Sequence, residues 1–309
     1  MRIDYRILWI ENDSDWQKST EEMIEDSVAE LGYTLKTTSY KDYKKFVDET
    51  NTDVYKSYDL ILIDFKLDND LTGDEFIQKV RENNVYTDII FYSQNSDELQ
   101  KRFSELSLEG VYTSNREDFE DKFLQVFKKT VKKLEELNAV RGLVMAETSR
   151  LDNLIIDILL KHFEKEEELR KKAIKILEDN AKNLFIDKEK KVNERGNLKA
   201  QKLDSNKFVK RVLNANQRGR LLNKLIEIKE VVSDFDFEKY KTDVLDKRNE
   251  LAHAKAKIKQ DNGVITSEVL IVEKGEDIIE EEYTTERIIE IRKEILTYDK
   301  ILNDLKEEL

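Results

Sequence analysis

Two groups of residues in this 309-residue chain have the types and spacing to do chemistry. The first is Glu11, Asn12, Asp13, Asp64 and Ser93, which follow or close short apolar runs. Oxygen ligands converging there suit a hard divalent cation such as magnesium, which keeps some waters and bridges to phosphate oxygens. The second is the hexapeptide Arg248-Asn249-Glu250-Leu251-Ala252-His253. Histidine moves protons near neutral pH, and arginine stabilises charge developing at a phosphate. RNA supplies its own nucleophile, the 2′-hydroxyl, so these two groups meet most of what RNA cleavage requires, with Asn249 to orient the imidazole or the phosphate.

Position on a helix limits what the second group can do. At about 100° per residue, Arg248 falls about 40° from Val244 and so borders an apolar stripe of Phe237, Tyr240, Val244 and Leu251. A guanidinium there has to be paired or placed at an interface. His253 lies about 140° round from Arg248, so the two converge on one phosphate only at a helix end, at a distortion, or with a second copy of the motif.

The elements that must position the first group alternate between strand and helix. Ile7 to Ile10 is a short apolar run, followed by a helical pattern through Trp16, Met23, Ile24, Val28 and Leu31 that stops at Gly32. Tyr58 to Asp64, Asp88 to Ser93 and Gly110 to Thr113 read as buried strands with little alternation, and a helix follows Gly73. This predicts an α/β doubly wound parallel sheet, with its chemistry at the carboxyl ends of the strands.

These residues resemble the receiver domain of two-component response regulators, over about residues 3 to 130. The resemblance implies that Asp64 is the phospho-acceptor, that Glu11 and Asn12 stand at the acidic pair, and that Ser93 carries the switch hydroxyl. It also implies magnesium held by Asp64 and Asp13 if the receiver is functional, and a kinase or sensor protein as partner. The Leu71-Thr72-Gly73 turn before a helix containing Phe76 fits the same pattern. Two departures stand out: the family's metal-ligating aspartate is Asn12 unless Asp13 substitutes, and no lysine occurs between Gly110 and Asp121, where Ser114 or Asn115 takes its place. Phosphorylated and degenerate receivers are both compatible with this set.

The hexapeptide is similar to the Arg-x-x-x-x-His signature of HEPN (higher eukaryote and prokaryote nucleotide-binding) domains. That resemblance implies an all-α helical bundle over about 131–309, a homodimer that brings two motifs together, and metal-independent RNA cleavage with no cofactor. Arg248, Asn249 and His253 would be the catalytic group, with Glu147 or Asp152 as the orienting acid. Lys255 stands where some members carry a modifiable tyrosine.

Composition agrees with a mainly helical chain, since there is no proline and only 8 glycines. The absence of cysteine excludes disulfide frameworks, thiol nucleophiles and cysteine-ligated metals. The early acid in Met-Arg-Ile-Asp and the lack of a long apolar run predict a cytoplasmic protein without a membrane partner. Net charge is −12 over 1–117 but +9 over 165–259 in a chain of net charge −13, a local field suited either to RNA or to a set of solvated helix faces. The polar stretch 187–207 adds a basic loop or weak helix.

From Phe119 to Leu159 an apolar stripe predicts one long coupling helix over about 118–162, or two in tandem, with His162 solvated near its end. Asp234 and Asp236 cap the helix of the hexapeptide, Gly263 to Val272 forms a small β-hairpin, and a last helix runs from Thr284 to Lys306. The expectation is therefore a receiver-like domain (1–130) joined to a helical domain (131–309): an endoribonuclease effector under receiver control, suited to phage defence or stress response. The rival is a non-enzymatic dimeric signalling adaptor with a degenerate receiver.

Overall fold

The structure, a computed structural model, describes residues 3–44, 52–67, 72–106, 109–132, 136–186, 206, 208–253, 255–261, 264–274, 277–282 and 284–309. The chain forms two compact units, Met1–Ala139 and Val140–Leu309. The boundary expected from the sequence lies at 130/131.

The first unit runs β1 (Asp4–Ile10), α1 (Ser14–Glu30), β2 (Thr34–Tyr40), a short 3-10 helix (Thr52–Ser57), β3 (Leu60–Asp64), α2 (Gly73–Glu82), β4 (Ile89–Ser93), α3 (Ser96–Leu106), β5 (Val111–Asn115) and α4 (Phe119–Val131). The five strands lie in the order β2-β1-β3-β4-β5, every pair parallel. This is the flavodoxin-like, doubly wound arrangement, and its order reverses between β1 and β3. Alternate residues of β1 feed opposite cores. Leu8 and Ile10 pack with Phe76, Ile77 and Val80 of α2, while Ile7 and Trp9 pack with Ile24 and Val28 of α1 and Phe123 of α4. Burial on both faces accounts for the unbroken apolar runs of β1, β3 and β4.

The second unit is helical: α5 (Leu137–Phe163), α6 (Glu167–Ile186), a π-helical turn (Phe208–Val212), α7 (Ala215–Lys229), α8 (Phe237–Tyr240), a second π-helical turn (Lys241–Asp246), α9 (Lys247–His253) and α10 (Thr285–Glu308). Asp236 caps α8 by accepting from the Lys239 N–H at 2.9 Å, and Thr284 caps α10 by accepting from Arg287. Tyr240, Val244 and Leu251 are buried, so the apolar stripe of the hexapeptide helix faces the core as expected.

Of the two alternatives for the stripe over 118–162 the structure has the tandem pair, α4 and α5, and the first packs Phe119, Phe123 and Phe127 against the parallel sheet. Three expectations change. Helix α4 serves the first unit's core, where the sequence reading has a coupling helix. The hairpin around Val264 to Val272 is the middle of a three-stranded antiparallel sheet, β6 (Lys255–Asp261), β7 (Val264–Lys274) and β8 (Asp277–Glu282). Lys255 to Lys259 alternates lysine with Ala256 and Ile258, a period of two that admits a third strand. His162 is buried, at 7% exposure, where a solvated side chain was expected. Its pKa is held down by burial and by Lys229 and Lys161. The basic stretch 187–207, apart from Asn206, lies outside the described residues, as do Leu71 and Ala254.

Candidate functional site

The carboxyl ends of β1 and β3 deliver Glu11 and Asp64 to the point where the strand order reverses. Glu11 is 1% and Asp64 5% exposed. Asp13 follows as the N-cap of α1: its Oδ1 accepts from the Trp16 N–H at 3.1 Å, which leaves Oδ2 for another partner. That partner comes from just after β5. Arg116 Nη1 donates to Asp13 Oδ2 at 2.8 Å, and Nη2 donates to Glu11 Oε2 at 3.1 Å, Glu11 Oε1 at 3.2 Å and Asp64 Oδ2 at 3.4 Å. The guanidinium lies 4.4 Å from the centre of the Trp16 ring, a cation–π contact on its flat face. One planar cation thus bridges all three carboxylates, its contacts divided between two terminal nitrogens, where a lysine ammonium would bring one compact point charge.

The back of the site is a buried relay. Trp9 Nε1 donates to the Tyr92 hydroxyl at 2.6 Å, and Tyr92 donates to Glu11 Oε2 at 2.8 Å. Rings of Trp9, Trp16, Tyr92 and Phe119 pack edge to face, tilted or stacked around it. Gly73, at the start of α2, has no room for a side chain: a Cβ would lie 2.4 Å from the Asp64 carbonyl oxygen.

Electrostatics follow from this burial. Desolvation, reinforced by the Glu11 charge, pushes Asp64 up to about 7 against the pull of Arg116 and the N–H groups of Phe65 and Lys66. Burial also raises Glu11, in spite of its hydrogen bonds from Asp13 and Tyr92. Asp13 is held low by its cap hydrogen bond from Trp16 and by Arg116. Burial works against the charge on Arg116, but the hydrogen bond to Asp13 and the charges of Glu11 and Asp64 outweigh it and raise its pKa.

The sequence-derived set is therefore partly assembled. Glu11, Asp13 and Asp64 meet. Ser93 is buried and its Oγ accepts from the Asn95 N–H at 3.1 Å, a local turn at the start of α3. Asn12 is half-buried beside them. Ser114 and Asn115, read as standing in for the missing lysine, are engaged locally: Ser114 donates to the Asn115 carbonyl, and Asn115 exchanges hydrogen bonds with Asp118. The cation is Arg116, one residue further on. A search for lysine passes over it, although a cationic residue directly after β5 is visible in the sequence. The residues do not fit a magnesium ion in this arrangement, because the guanidinium holds the oxygens that would ligate it. Among the described residues, no group of three or more histidine, cysteine or acidic side chains is placed to hold a metal.

In the second unit, α9 is tied down at Lys247, Glu250 and Ala252, and by the buried Leu251. Lys247 pairs with Glu294 of α10 at 2.5 Å, Glu250 with Arg287 at 4.0 Å, and the Ala252 carbonyl accepts from Arg141 of α5 at 3.3 Å. Arg248, Asn249 and His253 are not used in this way. Arg248 donates to Asn249 Oδ1 at 2.9 and 3.3 Å and has no acidic partner among the described residues, and His253 is exposed in the last turn. A π-helical turn precedes α9 but lies outside the Arg248–His253 span, and the helix ends at His253. The acids Glu147 and Asp152 go elsewhere. Glu147 pairs with Arg150, which also reaches Asp299, and Asp152 takes a two-point ion pair from Arg218 at 2.6 and 2.8 Å. Neither forms a hydrogen bond or ion pair with Arg248 or His253 among the described residues.

Among proteins compared with the chain, no family model matches and no curated protein is significantly similar. Solved structures do align with it, among them the following two. One is the receiver domain of the Francisella response regulator 1452, 23% identical, covering 41% of this chain and 98% of that one with a TM-score of 0.29. The other is a fusion carrying the yeast Spc42 trimeric coiled coil, amino acids 181–211, 12% identical, covering 60% of this chain and 99% of that one with a TM-score of 0.34. The receiver-like description of the first unit rests on its own strand order and strand-end acids. No described helix is long and apolar enough to cross a membrane.

Proposed function

We propose that the chain is a two-part regulator in which the receiver-like unit governs a helical effector that cleaves RNA without a metal. The observation that supports the effector chemistry is the division of labour along α9: Lys247, Glu250 and Ala252 anchor the helix, and Arg248, Asn249 and His253 remain for a ligand. In this reading His253 accepts the proton of a 2′-hydroxyl, the resulting alkoxide attacks the adjacent phosphorus, and Arg248 stabilises the charge on the phosphoryl oxygens. The leaving 5′-oxygen takes a proton, which gives a cyclic phosphate and a free 5′-hydroxyl.

The two groups point about 140° apart on α9, so the reading uses a two-fold dimer in which Arg248 of one copy faces His253 of the other. Mixing Arg248→Ala chains with His253→Ala chains tests it. Subunit exchange makes one undamaged composite site per heterodimer, so part of the cleavage activity should return. A fully active monomer, or no recovery after demonstrated exchange, contradicts the shared site. As an inducible effector such a protein would suit phage defence or a stress response.

A second reading is favoured by the Arg116 network: a non-enzymatic adaptor whose receiver-like unit recognises a sensor protein through its surface. A wild-type chain that cleaves no RNA in any form decides for it.

A further inference from the structure

We propose that Arg116 is the resident cation of the receiver-like site, and that its guanidinium excludes divalent metal ions from the three carboxylates it bridges.

The geometry carries it. Magnesium requires six oxygens in near-octahedral array at about 2.0–2.1 Å. Here both oxygens of Glu11, one of Asp13 and one of Asp64 already point at a single planar group, at 2.8 to 3.4 Å. The remaining Asp13 oxygen is committed to the cap of α1. The guanidinium is not a loose surface group: its side chain is 11% exposed, covered on one face by Trp16, and the Glu11 side chain is fully buried beneath it. Glu11 is also fixed from behind by Tyr92 and Trp9, so it cannot swing to a metal while Arg116 stays. A second, doubly charged ion in the same cage would face the guanidinium at close range in a poorly solvated setting. A signal received by this unit therefore acts on the Arg116 network or on the surrounding surface.

The chain has two tryptophans, and both line this site, so the intact protein reports on it directly. Magnesium would be titrated into the full-length chain while tryptophan emission is followed, with terbium, a hard oxygen-seeking ion whose emission nearby tryptophan sensitises, as an independent probe. Wild type should show no saturable response in the millimolar range. Arg116→Gln should show one, at an affinity at least about tenfold higher than any wild-type binding, and the response should vanish again when Asp64→Asn is added. Arg116→Lys keeps the charge but gathers it at one nitrogen and gives up the two-nitrogen spread across the carboxylates, so it should gain a weaker saturable response and stands in if the glutamine variant does not fold. Saturable wild-type binding as tight as that of the variants overturns the proposal, and so does a folded Arg116 variant that stays blind to both ions.

Discussion

Arg116 Nη2 donates to both carboxylate oxygens of Glu11, at 3.1 and 3.2 Å, across 105 residues of sequence. This contact joins the end of β1 to the segment after β5 and closes the carboxyl edge of the sheet with a charge from within the chain. Removing the guanidinium by Arg116→Ala leaves Glu11 buried without its counter-ion. The cost should be about 1–3 kcal/mol, below the usual figure for a broken buried pair because Glu11 and Asp64 can take up protons instead. The loss should be larger at pH 8 than at pH 5, and urea denaturation at the two pH values measures it.

Asp64 contributes a pH dependence to this unit, alongside the raised Glu11. Its folded pKa, about 7, lies above the unfolded value of about 3.9. Between these values the folded state holds the extra proton, so the contribution of Asp64 is fully present below about pH 4 and is lost as pH rises through about 7. Asp64→Asn removes that slope. The variant should therefore gain on wild type as pH rises and be more stable at pH 8, with the advantage gone near pH 4. A pH series of denaturation curves with a constant difference between the two proteins would contradict the assignment.

Tyr92 links the aromatic core to the site through one hydroxyl that accepts from Trp9 and donates to Glu11. Tyr92→Phe keeps the ring packing but orphans the buried indole N–H, at about 1–3 kcal/mol. Pairing it with Trp9→Phe should cost less than the two single losses added together, since the second change removes the orphan. Strict additivity in the double-mutant cycle would show that the relay is not a unit.

The parts of the fold that were legible in the sequence are those whose burial leaves a periodic trace. β1, β3 and β4 stand out because both faces are covered, whereas β2, Thr-Leu-Lys-Thr-Thr-Ser-Tyr at the sheet edge, carries little apolar signal. The stripes of α4 and α5 follow one another closely enough to read as one helix or as two in tandem, and the packing of Phe119, Phe123 and Phe127 on the sheet assigns α4 to the first unit's core. Glu11, Asp13 and Asp64 were legible as strand-end acids. The role of Arg116 was not, because it depends on the reach of the guanidinium across β1 and β3. His162 sits beside Lys161 near the charged end of its stripe in sequence and is buried by tertiary packing. Glu147 and Asp152 carry the right chemistry for orienting acids; the i,i+3 spacing of Glu147 and Arg150 on one helix already offers a local partner, whereas Arg218, 66 residues from Asp152, is identified only by spatial contact.

The measurement that bears most directly on the account is cleavage of RNA by the purified full-length chain in excess EDTA, alongside Arg248→Ala, His253→Ala and the double variant. Wild type should cleave and leave a cyclic phosphate end. Each single variant should lose about 100-fold or more in rate, with circular dichroism unchanged because both side chains lie outside the contacts that anchor α9. The double variant should be no worse than the poorer single one, as expected of groups that act together. Cleavage that requires a divalent metal, or that persists in the double variant, would contradict the assignment of Arg248 and His253.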